Sequence, residues 1–306
     1  MWKTGLIELR DGVYAYIQPD GSWFVGNSGL ILGKDSNIVV DSLATQSQVE
    51  PYLAEIKKVT KLPIRFLINT HLHADHVWTN HYFTDALTIA HESCRASVIE
   101  EEESGVKELF SKLMPALDFT ASRYTPQNVT ITDRLSLYQG SREVKVIHIS
   151  NAHTVSDLIV HLPAEKIVFC GDLLFSKPCT PFAMMGSIAG YIEALEYMIG
   201  LNADIYVPGH GQLAYGDGAL KEAIGYLKFV QAQAKRLFEN KTTDYFAAAT
   251  SLDLGEYALW SDSERIIGNM ARAFSELKGN PRAQRLPDTM QLFERMLDYR
   301  RIKEKK

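Results

Sequence analysis

The sequence is poor in cysteine, in excess charge of either sign and in long apolar runs. Its three cysteines, Cys94, Cys170 and Cys179, are odd in number and form no CxxC pair, which argues against a disulfide framework. The net charge is −5, from 32 basic against 37 acidic residues. That balance gives no basic track for a nucleic acid and no attraction to an anionic membrane. Nowhere does the chain approach the ~18 consecutive apolar residues of a membrane span, and the opening MWKTGLIELR lacks a signal-peptide pattern. These absences suggest a reduced, cytoplasmic, enzyme-sized chain whose partner is a small molecule. The one basic run, RRIKEKK at residues 300–306, reads as a solvated chain end.

What is present suits a globular α/β protein. The chain has 306 residues, 46% of them hydrophobic, enough for a sizeable core. GVYAYIQ, SGLILG and SNIVVDS read as strands parted by the turn signals PDGS and GKDS. A helix is expected from Gln46, with Val49, Leu53 and Ile56 on one face. IRFLINT and LTIAH are the next strands. Val106, Leu109, Phe110, Leu113 and Met114 mark a helix, and RLSLYQGSREVKVIHIS a hairpin turning at Gly140 and Ser141. SDLIVHLP, KIVFCGD and DIYVPGH are further strands. Ser187 caps a helix carrying Ile188, Ile192, Leu195 and Ile199. After about residue 217 the pattern becomes helical, with Leu220, Ile224, Leu227 and Phe238 as one stripe. A second stripe, Ile267, Met270, Phe274 and Leu277, follows a capping box at 261–264.

The chemistry concentrates in INTHLHADHVWTN, residues 68–80. His71 and His73 lie two apart at a strand end, so both imidazoles can point the same way. Asp75 and His76 follow just past the turn, so one stretch can serve two neighbouring metal ions. More polar residues end later strand-like segments: His153 after VKVIHISNA, Asp172 after KIVFCG, His210 after IYVPG.

These motifs, in this order, resemble the metallo-β-lactamase superfamily: VVDS with Asp41, HLHADH, AHT with His153, GDLLF with Asp172 and PGHG with His210. The resemblance spans roughly residues 10–215. It implies an αββα sandwich with the metal site at one edge of the sheets. It further implies that His71, His73 and His153 hold one metal, that Asp75, His76 and His210 hold a second, and that Asp172 bridges them. The cofactor expected is two Zn²⁺, with Fe or Mn as alternatives. Asp41 is expected to orient the ligand loop rather than bind metal, and Asp75 to be the catalytic group that orients the nucleophile or takes its proton.

Aspartate at 172, where many zinc β-lactamases carry cysteine, makes the chain similar to glyoxalase II, lactonases and thioesterases. The GCGR-type segment of glyoxalase II is missing after GD. The expected reaction is attack of a metal-bridging hydroxide on a thioester or lactone carbonyl. Alternatives are a polyketide cyclase/thioesterase, a β-lactamase-like amide hydrolase and a mononuclear iron persulfide dioxygenase. Candidate pocket residues are Trp23 and Phe24 over the site mouth, Trp78 behind the ligand loop, and Phe182, Met184 and Met185 of the apolar PFAMMG stretch. Residues 1–216 are expected to form the metallo-β-lactamase-like domain. The helical extension, 217–306, is expected to pack beside the metal edge with the 100–117 helix, bringing Phe274 and Tyr257 to the pocket. Packing remote from the site, or use in a homodimer, is the alternative for its apolar stripes.

Overall fold

A computed structural model describes residues 2–242, 244–287 and 289–304. Two facing sheets form its centre. The first runs β1 (Gly5–Arg10), β2 (Val13–Ile17), β3 (Ser28–Leu32), β4 (Asn37–Val40), β5 (Ile64–Ile68), β6 (Leu87–His91) and β7 (Val129–Ile131), in that spatial order. It is antiparallel through β4 and parallel from β4 to β7. The second contains β8 (Arg134–Gln139), β9 (Arg142–His148), β10 (Leu158–Leu162), β11 (Ile167–Phe175), β12 (Ile205–His210) and β13 (Ala214–Tyr215), running from β8 at one edge to β13 at the other. Only its β11–β12 pair is parallel.

Alternation along the strands builds the layers. On β4, Ile38 and Val40 face the second sheet, where they meet the layer of Val146, Val160 and Phe169. Val39 faces outward onto α1 (Gln46–Val59), against Val49, Tyr52 and Ile56. The ligand loop carries α2 (Ala74–Val77), a single turn. Beyond β6 come α3 (Glu92–Glu102) and α4 (Val106–Leu113). The outer face of the second sheet is covered by α5 (Ile188–Gly200) and α6 (Gly218–Glu239). Ser187 caps α5 as expected, its side chain accepting a hydrogen bond from the Gly190 N–H. The chain then adds α7 (Tyr245–Thr250), α8 (Arg265–Leu277) and α9 (Thr289–Glu304).

The architecture is the expected αββα sandwich with C-terminal helices. All three cysteines are buried and unbridged. No helix among the described residues is long and apolar enough to cross a membrane.

Two local expectations fail. The capping box at 261–264 does not form, because α8 begins at Arg265. The Asp262 carboxylate instead pairs with Arg265 at 3.1 Å and with Arg300 at 2.8 Å, and Glu264 also pairs with Arg300. Arg300 is therefore tied to the fold rather than part of a freely solvated end. Lys305 and Lys306 of the basic run lie outside the described residues.

Candidate metal centre and substrate cavity

The polar residues singled out in the sequence are carried by strands of the buried sheets or by the loops that leave them. β5 is pinned by parallel pairing to β4 on one side and β6 on the other, so the loop leaving it starts from a fixed point. Asp41, just past β4, has a left-handed backbone (φ 61°) that turns its carboxylate onto that loop. The Thr70 N–H and hydroxyl donate to its two oxygens at 2.7 and 2.8 Å. His153 is held from the backbone: the Asp157 carboxylate accepts from the N–H groups of His153 and Thr154 at 2.7 and 2.9 Å. Asp172 lies within β11 and His210 at the end of β12. Gly209 is required there, because a Cβ at that position would stand 1.9 Å from Asp172 Oδ1.

The seven residues converge as two groups. His71, His73, His153 and Asp172 form one, and Asp75, His76 and His210 the other, with one potential ligand atom from each residue lying within 4.8 Å of the rest of its group. Asp172 stands between them. Its Oδ2 is 3.2 Å from His153 Nε2, 3.7 Å from His71 Nε2 and 3.5 Å from His210 Nε2, and its Oδ1 is 3.2 Å from His76 Nε2. Asp75 Oδ2 lies 3.1 Å from His210 Nε2.

Hydrogen bonds on the far side of each ring fix which nitrogen is free to accept. His76 Nδ1 faces Asp41 Oδ2 at 2.9 Å, His210 Nδ1 faces the Gly21 carbonyl at 3.1 Å, and His153 Nδ1 faces the Phe182 carbonyl. His71 Nδ1 lies 3.1 Å from Thr70 Oγ1, whose own proton goes to Asp41. These four rings therefore turn Nε2 lone pairs inward. His73 is reversed, its Nδ1 facing the cluster at 2.8 Å from His153 Nε2 and its Nε2 lying 3.2 Å from the Met185 sulfur.

The donor set fits metal cations. Three inward atoms, His71 Nε2, His76 Nε2 and Asp172 Oδ1, are buried without a hydrogen-bond partner, a condition folded proteins rarely tolerate. The field at the group of Asp75, His76 and His210 favours positive charge as well. Burial would push His210 down, but Asp172 and Asp75 raise it to about 9. Burial would likewise lower His76, yet Asp172, Asp41 and Asp75 lift it well above the ordinary imidazole value. Burial would raise the Asp75 carboxyl, but His76 and His210 hold it at about 2. His73 goes the other way, lowered to about 3 by burial and by His153.

A cavity of about 290 Å³ opens over the cluster. His73, Asp75, His153, Asp172 and His210 line its base. Of the expected pocket residues, Trp23, Phe24, Phe182, Met184 and Met185 are on its wall. Trp78 is not. It is fully buried against Phe24, Phe119 and Tyr124, because the one-turn α2 folds it back into the layer under the ligand loop. Val106 and Phe110 of α4 do reach the cavity, as do Leu286, Met290 and Phe293 of the C-terminal segment. Phe274 and Tyr257 are absent from that wall. Phe274 packs on Phe238 and Tyr245, and Tyr257 on Tyr226 and Trp260. Three arginines on the wall, Arg265, Arg272 and Arg285, are not anticipated from the sequence. For Arg265 and Arg272 the signal is their i, i+7 spacing on α8, which a sequence reading assigns to a solvated face.

Comparison with known proteins agrees with this geometry. A curated relative, the 2,4-dinitroanisole O-demethylase subunit alpha of Nocardioides sp. (strain JS1661), is 23% identical over 182 residues, covering 59% of this chain and 51% of that protein. The chain thus matches about half the length of that relative. Among solved structures, a metallo-beta-lactamase from Pontibacter korlensis superposes with a TM-score of 0.60 at 16% identity, covering 74% of this chain and 99% of that one. The DIM-1 metallo-beta-lactamase gives 0.59 at 18% identity, covering 73% and 96%. The sec-alkylsulfatase Pisa1 from Pseudomonas sp. gives 0.66 at 15% identity, covering 89% of this chain and 50% of that one. The sequence profile of the metallo-beta-lactamase superfamily matches residues 21–210, well over half of the chain. With the sandwich, the order of its motifs and the two His/Asp groups at its edge, the chain belongs to the metallo-beta-lactamase superfamily.

Proposed function

We propose that the chain is a dinuclear metallo-hydrolase acting on an ester-type carbonyl, a thioester or a lactone. The observation that carries this reading is the position of Asp172, whose two oxygens face imidazoles of both groups. His71, His73 and His153 would hold one ion, Asp75, His76 and His210 the other, with Asp172 shared. Zn²⁺ suits these donors, with Fe or Mn as alternatives. Divalent ions held there would supply Lewis acidity toward a water and toward the scissile carbonyl.

The chain's own residues do the rest. Asp41, Thr70 and the Gly21 and Phe182 carbonyls hold the rings in the accepting tautomer. Asp75 is a carboxylate at neutral pH, able to orient the attacking water or accept its proton. The apolar wall of Trp23, Phe182 and Met185 excludes bulk water and receives the acyl group. A thiolate leaves unprotonated, since its ordinary pKa is about 8.5, so a thioester needs no general acid. Aspartate rather than cysteine at 172 supports the glyoxalase II-like and lactonase branch over the β-lactamases.

A second reading is favoured by the aromatic rings of the cavity, Trp23, Phe24, Phe110, Phe182 and Phe293, together with the name of the O-demethylase relative. It is hydrolysis of an activated aryl methyl ether, in which water gives methanol and a stabilised phenolate departs unprotonated. The test is a panel of thioesters, lactones, a cephalosporin, a phosphodiester, a nitroaryl methyl ether and a persulfide on metal-loaded protein. Thioester or lactone hydrolysis is expected. Turnover of the ether or the persulfide with every carbonyl substrate inert would overturn the main reading.

A further inference from the structure

The cavity wall contains a buried positive charge that the metal chemistry does not use. Arg272 is 0% exposed. Its Nε and Nη2 donate to the Met184 carbonyl at 3.1 and 2.8 Å, and Nη2 also donates to the Gln284 carbonyl at 2.8 Å. Nη1 has no hydrogen-bond partner. Among the described residues no carboxylate forms an ion pair with it. The acid whose field it feels, Glu276, lies one turn along α8 and accepts from the Ile188 N–H at 2.8 Å. The other two wall arginines are compensated. Arg265 pairs with Asp262 at 3.1 Å and stacks on Trp23 and Phe175, and Arg285 pairs with Glu100 at 2.7 Å.

Among the described residues this buried guanidinium has no paired carboxylate, a costly arrangement, and a clamp on two carbonyls needs donors but no charge. Arg272 lines the same cavity as the His/Asp cluster, with a buried, unpartnered Nη1 and, among the described residues, no carboxylate paired to it. We propose that this end of the cavity binds an oxyanion carried by the substrate, a carboxylate or a sulfate, with Arg272 as its anchor. This rests on the reading of the cavity as the substrate site. Met184 and Met185 join the two ends, since the Met184 carbonyl touches Arg272 and the Met185 sulfur touches His73. The anion therefore sits a short spacer from the reacting group, across an apolar wall. The substrate class is an acyl or aryl compound bearing a second, acidic group.

The experiment is calorimetric titration of metal-free full-length protein, so that bound metal cannot capture the anion. The probes are octanoate, octyl sulfate and, as the neutral match, octanol. A charge-assisted hydrogen bond predicts that at least one of the anions binds about tenfold or more tighter than the alcohol, and the better anion distinguishes carboxylate from sulfate. Arg272→Met removes that preference and leaves octanol binding within about twofold, whereas Arg285→Ala leaves the preference intact. Should Arg272→Met fail to fold, Arg272→Gln keeps an amide donor for the Met184 carbonyl and is read the same way. Equal binding of anions and alcohol by the wild type overturns the proposal, as does a preference that survives loss of the guanidinium. Anion binding that persists while all the ester substrates stay inert removes the hydrolase reading and leaves the anchor standing.

Discussion

Replacing Asp41 by asparagine exchanges one carboxylate oxygen for an amide and should be felt at a metal ion that Asp41 does not touch. The carboxylate accepts from three donors, the Thr70 N–H, the Thr70 hydroxyl and His76 Nδ1. An asparagine has one oxygen to offer. In either orientation its NH₂ group meets the Thr70 N–H or the His76 Nδ1–H, leaving a buried donor against a donor, a loss of about 1–3 kcal/mol. The cheapest relief is for His76 to move its proton to Nε2, the atom that faces Asp172 at 3.2 Å, and that blocks the inward lone pair. Partners of this kind typically carry about 10–100-fold in metal affinity, or about 1.4–2.8 kcal/mol, which agrees with the hydrogen-bond estimate. Asparagine tolerates the left-handed φ of 61° at this position, so the backbone is not the cause of the loss. Titration of Asp41→Asn with Zn²⁺ against a competing chelator should show the affinity of the site that includes His76 weakened by ~10–100-fold. Two wild-type affinities in the variant would refute the orienting role of Asp41.

The remaining predictions concern the ligands and the wall. About two divalent ions per chain are expected by plasma mass spectrometry; His71→Ala or His153→Ala should empty one site and His76→Ala or His210→Ala the other. A stoichiometry of one iron, with oxygen consumed on a persulfide, would overturn the hydrolase. Asp75→Asn should keep the fold and lower kcat by ~10²-fold or more, and unchanged kcat at full metal content would remove Asp75 from the mechanism. Phe293→Ala should change the ratio of kcat/KM for long and short acyl thioesters. Phe274→Ala should leave that ratio alone and destabilise the fold by about 3–5 kcal/mol, read by urea unfolding; equal behaviour of the two variants would place Phe293 outside the pocket.

The candidate metal end was legible in the sequence for a local reason. Its proposed ligands lie on, or just past, strands whose apolar patterns are strong, and their spacing survives without knowledge of the tertiary contacts. β7, of three residues, and β13, of two, were not legible, because so short a run has no period. α3 was missed because ESCRASVIEEE buries only Cys94 and Val98 on a charged background. α9 was missed for the same reason, since Leu292, Met296 and Tyr299 are its buried residues among many charges. Trp78 could be read from the sequence as core or as pocket wall, because a tryptophan beside a ligand loop can turn either way, and only the one-turn α2 decides that it turns inward.

The wall at the C-terminal end shows a deeper obstacle. On α8, Arg265, Asn269, Arg272 and Glu276 fall on one helical stripe, opposite Ile267, Met270 and Phe274. Amphipathicity alone sends such a stripe to solvent. Here Arg265, Asn269 and Arg272 are almost fully buried, and the cause lies about 85 residues earlier. The segment after β11, KPCTPFAMMG, is irregular and contains two prolines, so its carbonyls lack ladder partners yet lie inside the fold. Arg265 donates to the Thr180 carbonyl at 2.7 Å, Asn269 to the Pro181 carbonyl at 2.9 Å, and Arg272 to the Met184 carbonyl at 2.8 Å. The polar face of α8 thus does for this loop what a neighbouring strand does inside a sheet. The loop in turn supplies the Phe182 carbonyl to His153 and the Met185 sulfur to His73. The tail consequently holds the wall of the cavity and, through it, the outer hydrogen bonds of two proposed metal ligands. A polar helical stripe should be assigned to solvent only after the buried irregular backbone of the fold has been provided with donors.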